Sequence, residues 1–125
     1  MTNAVKEILC DSIIHIDIGI RRFAGNEDLY EKNLRQFPND TLYTSMMSAM
    51  KAGSIREAEG AAQLLKQNAY NLGMVRLAKS CDVLCEAIRQ GRGLPDFPDE
   101  VNEVSAVYNV MNRCLAKAFP TERKQ

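Results

Sequence analysis

The chain has 125 residues, 46% hydrophobic and 26% charged, and its sixteen basic and sixteen acidic side chains cancel. That is enough apolar material for one core, so residues 1–125 are expected to form a single domain. The charge balance disfavours nucleic acid or an anionic membrane as the main partner, since either needs a basic face.

Gly and Pro divide the chain at Gly25, Pro38, Gly53, Gly73 and Gly91 to Pro98, and the intervals read as helices. The first stretch, Ile13 to Ile20 (IIHIDIGI), alternates Ile14, Ile16, Ile18 and Ile20 like a strand. A lone strand leaves its backbone unpaired. The segment is therefore expected to be a helix end, an extended link at His15 and Ile16, and a new helical turn from Asp17. Asn26 is placed to cap a helix running to Phe37 with Tyr30, Leu34 and Phe37 on one face, and Pro38 breaks it. Thr41 to Ala52 carries Leu42, Met46 and Met50 on a stripe, with Met47 the methionine expected outside it, and Gly53 is a C-terminal stop. Ser54 is expected to cap the next helix, which runs to Leu72. Met74 to Gln90 carries Leu77, Cys81, Leu84 and Ile88 at helical spacing. GRGLPDFPD is a loop. Beyond it Val101, Val104, Tyr108, Met111, Leu115 and Ala118 step by three and four, the pattern of an amphipathic helix that closes the bundle. The tail, residues 120–125, is expected to be frayed.

These antiparallel helices with short connections predict an all-α fold: an antiparallel four-helix bundle with an additional short N-terminal helix. Trp is absent and aromatics are sparse, so the core should be aliphatic with methionine as filler.

On the helix Ser54 to Leu72, the residues Ile55, Ala58, Ala62, Leu65, Ala69 and Leu72 share an arc of roughly 80° and form the core face. Gln63 lies roughly 130° from the centre of that arc, so it projects outward from the middle of a rigid helix. Gln67 faces out one turn later. Lys66 lies near the boundary, able to lay its methylenes along the bundle and raise its ammonium to the surface.

The stretch Ala61 to Gly73, AAQLLKQNAYNLG, resembles the signature helix of the histidine-containing phosphotransfer (HPt) family of bacterial phosphorelays, roughly HxLKGxxxNLG. Leu65, Lys66, Asn71, Leu72 and Gly73 fall in register. The resemblance extends to Ile16 to Phe37, to MSAMKAGSIREAEGAA and to Leu77 to Gly91. It implies an HPt-like bundle whose phosphorylated histidine is replaced by Gln63. A neutral amide is no nucleophile at physiological pH, so the resemblance implies no phosphate on this residue. Gln67 stands where the family has a small glycine, and its bulk bears on docking. The function implied is a pseudo-HPt module of a two-component system. It would bind a response-regulator receiver domain or a hybrid histidine kinase through Gln63, Lys66, Gln67 and Tyr70, without carrying phosphate. The alternative is a structural or interaction bundle that has left the phosphorelay.

His15, the single histidine, is expected to be a partly buried polar residue satisfied by a backbone group, not a phosphoacceptor. Cys81 and Cys85 lie one turn apart, but tetrahedral zinc needs four ligands and the spacing of Cys10 and Cys114 supports no set. Buried thiols are expected there. Arg21, Arg22 and Arg35 among Glu27, Asp28 and Glu31 read as a solvated mixed-charge face. No Ser-His-Asp set, phosphate-binding Gly loop or metal motif occurs in the sequence, and the chain is expected to be non-enzymatic, without cofactor or metal, and monomeric. No apolar run reaches the length of a membrane span, and Met1 to Leu9 lacks the basic start and apolar core of a leader. A cytoplasmic location with reduced cysteines is therefore expected.

Overall fold

A computed structural model of the protein describes residues 1–11, 14–90 and 98–120. Every regular element among them is helical: α1 (Asn3–Asp11), α2 (Ile16–Arg22), α3 (Glu27–Gln36), α4 (Leu42–Ala52), α5 (Ile55–Asn71), α6 (Val75–Arg89) and α7 (Pro98–Ala118), with a 3₁₀ turn at Phe37–Asn39. The isoleucine alternation after residue 13 forms no strand. Ile14 and His15 link α1 to α2, close to the expected break. The expected loop at Gly91–Pro98 and the tail fall largely on residues 91–97 and 121–125, outside the described residues.

Local chemistry sets the helix boundaries. Asn26 accepts the Leu29 amide on its side chain at 3.0 Å, which satisfies one of the free donors at the start of α3. The first turn of α3 holds Glu27 and Asp28 and its last holds Arg35, both favourable to the helix dipole. Asp40 opens α4 by accepting the Leu42 amide (2.9 Å), and its second oxygen accepts from Asn68 of α5 (2.9 Å). One carboxylate thus starts a helix and fastens it to its neighbour.

Ser54 occupies the N-cap position of α5, but its hydroxyl makes no capping bond, contrary to the sequence expectation. The α4–α5 reversal is built on the helix that ends rather than on the one that begins. Gly53 is left-handed (φ 77°), its amide bonds the Met50 carbonyl, and the Ser54 amide bonds that of Ala49 (2.9 Å). The same closure ends α5. Gly73 has φ 80° and the Met74 amide reaches the Ala69 carbonyl (2.8 Å).

Helix α5 packs between α4 and α6, and α7 packs on α6 and on α1. Ala58, Ala62 and Ala69 are fully buried on its core face with Leu65 and Leu72, so close approach of the neighbours is possible. Two ion pairs show that α5 and α6 run antiparallel: Lys66–Asp82 (2.8 Å) and Glu59–Arg89 (3.0 Å) diverge from the turn in step. The ring is closed between α4 and α7, where the Tyr43 and Tyr108 rings stack with centroids 3.9 Å apart and the Tyr43 hydroxyl lies 2.7 Å from that of Ser105. Tyr108 also meets Phe37 at 5.7 Å. Met46 is fully buried, while Met47 and Met50 are both half-buried and packed against the core.

The N-terminal helices are pinned at the end of α5. The buried Tyr30 hydroxyl donates to the Leu72 carbonyl (2.7 Å), and the Tyr30 ring fills the space where Gly19 has no side chain. The His15 amide donates to the Gly73 carbonyl at 2.8 Å. No helix among the described residues is long and apolar enough to cross a membrane.

Candidate functional site

Gln63, Lys66, Gln67 and Tyr70 occupy one outward stripe of α5, within an arc of about 100° at helical spacing. Gln63, Gln67 and Tyr70 are exposed and Lys66 is half-buried. The structure therefore brings together all four residues singled out in the sequence. The placement follows from the alanine-rich core face behind them, which fixes the rotation of the helix about its axis.

Gln63 and Lys66 on this stripe have polar partners. The Gln63 amide nitrogen lies 3.4 Å from a Glu59 carboxylate oxygen, and that oxygen also accepts from Arg89 of α6 at 3.0 Å. The Lys66 ammonium donates to Asp82 of α6 at 2.8 Å. This hydrogen bond is the main reason the lysine is held above its ordinary pKa and the aspartate below its own. The head of Lys66 is thus directed to α6. Gly60, Gln63, Leu64, Lys66, Gln67 and Arg89 line a shallow depression here. Leu64 (54% exposed) lies in it, and Val83 (50%) is exposed on α6.

Arg22 is a residue of this surface that the sequence reading placed on a solvated mixed-charge face. Its guanidinium lies 3.6 Å from the centre of the Tyr70 ring and donates to the Tyr70 carbonyl at 2.8 Å. Helix α2 thereby covers one side of Tyr70 and adds a second donor to a carbonyl in the last turn of α5 that also accepts the Gly73 amide at 3.1 Å. The two residues are 48 positions apart, and the local charge pattern holds no signal of the contact. Arg35 likewise has specific contacts, pairing with Glu31 (2.8 Å) and lying over Phe119.

His15 departs from expectation: it is exposed, and its tie to the protein is made by its backbone amide and carbonyl, not its ring. Its anchor at Gly73 puts it ten residues past Gln63, roughly 15 Å along the α5 axis. Cys81 and Cys85 are buried, and burial pushes the Cys81 thiol up to about 12 and raises that of Cys85. Among the described residues no group of three or more His, Cys, Asp or Glu side chains is arranged to hold a metal ion.

Comparison of the chain with protein-family models, with curated proteins and with solved structures gives no significant match.

Proposed function

We propose that this chain is an HPt-like signalling module of a bacterial two-component phosphorelay that binds a receiver or kinase domain in the cytoplasm without carrying phosphate and without enzymatic activity. The observation that carries this reading is Gln63, an exposed neutral amide in the middle of a rigid bundle helix, at the place where the signature AAQLLKQNAYNLG calls for a histidine. Lys66, Gln67 and Tyr70 on the same stripe supply the rest of the contact surface. A side chain at position 63 projects from a fixed backbone toward a partner's cleft, the geometry a phosphoryl carrier needs. The glutamine keeps the geometry and removes the nucleophile.

The test is phosphoryl transfer from a phosphorylated receiver to the purified chain and to its Gln63→His variant. Labelling of the variant alone supports a docking surface that has kept its shape and lost its acceptor. Labelling of neither counts against docking to that receiver. Gln67, exposed one turn beyond Gln63, favours a second reading in which the bundle has left the phosphorelay and serves as an interaction scaffold.

A further inference from the structure

We propose that the Gln63 face distinguishes the two states of its receiver and takes the unphosphorylated one. This rests on the receiver-binding reading above. Both cations beside Gln63 are already committed. Lys66 is paired with Asp82 at 2.8 Å, and Arg89 lies between Glu59 at 3.0 Å and Glu86 at 3.9 Å. Two positive and three negative side chains therefore surround the position, leaving it locally acidic. Arg56 and Lys79, the next cations on α5 and α6, lie about two turns from the level of Gln63, roughly 10 Å. That is about one screening length at physiological salt.

A phosphoryl group carries about 1.5 to 2 negative charges, against about one for the bare carboxylate it would cap. Arriving at Gln63, it would meet three carboxylates and no uncommitted ammonium or guanidinium within a turn. The Gln63 amide is suited to the other state. Its nitrogen is a neutral donor held only loosely, 3.4 Å from Glu59, and it can turn to donate to a bare carboxylate in a partner's cleft. The selection is thus built from the same ion pairs that join α5 to α6.

The experiment is calorimetric titration of the chain against the receiver domains of its host, each prepared bare and with beryllium fluoride as the phosphoryl stand-in. The bare form is expected to bind about three- to tenfold more tightly, the range set by partly screened surface charge. A Glu59→Gln, Asp82→Asn variant frees Lys66, leaves Arg89 with Glu86 alone and makes the position net positive, so it should abolish or reverse the preference, with its circular dichroism unchanged. Equal or tighter binding of the beryllofluoride form by the unaltered chain overturns the proposal while leaving receiver docking intact. Absence of binding in both states overturns the receiver reading itself.

Discussion

Gly73 ends α5 with φ 80°, and its carbonyl accepts the His15 amide at 2.8 Å. A Cβ there would run into the His15 backbone, whereas at Gly53, with φ 77°, it would meet nothing within 4 Å. The two glycines have the same conformation and different surroundings. Gly53→Ala should cost only the left-handed backbone penalty, about 1–2 kcal/mol. Gly73→Ala should cost that plus displacement of the link between α1 and α2. Urea midpoints of the two variants measure the difference, and equal losses would refute the role given to His15. The sequence marked both positions as helix stops, because glycine after an apolar stripe is a local signal. It held no sign of what sits against Gly73, because that contact joins residues 58 positions apart.

The α5–α6 hairpin is the element that carries the candidate surface, and its outer edge is held by Lys66–Asp82 and Glu59–Arg89. The hydrogen bond from Lys66 lowers the Asp82 carboxyl below its ordinary range. Its contribution is therefore present above the unfolded carboxylate pKa and is lost as pH falls through the depressed folded value. Lys66 is raised by the same bond, so its contribution is present below the ordinary lysine value and lost as pH rises through the elevated one. Carbon-detected NMR of Asp82 should give a midpoint below that of an unperturbed aspartate, and Lys66→Met should return it toward normal. An unchanged midpoint would remove the pair from the account. The rotation of α5 was legible from its core stripe alone, and with it the exposure of Gln63, Gln67 and Tyr70. The partners of that face were not, because they are set by the register of α6 against α5.

Across the whole molecule, the cysteines report on the integrity of the bundle. Cys81 and Cys85 on α6 and Cys114 on α7 are buried, whereas Cys10 on α1 is exposed. Maleimide followed by mass spectrometry should add one adduct to the native protein and four after denaturation in urea. The three slow thiols should react together, at the rate at which the bundle opens. Rapid reaction of Cys114 alone would mean that α7 separates from the rest. Closure of the bundle depends on contacts such as the Tyr43–Tyr108 stack, which joins α4 and α7. The sequence placed Tyr108 on a core stripe but could not pair it with Tyr43.

By itself, the sequence determined the helical class, most helix boundaries and the outward face of α5. These follow from periodicity and from turn residues whose preferences act within a few positions of the chain. The tertiary structure decided the rest: Arg22 on Tyr70, Lys66 on Asp82, Arg89 on Glu59, and the His15 link against Gly73. Each depends on which helix lies beside which and at what register. That is settled by how the buried faces interlock, a property no short window of sequence contains.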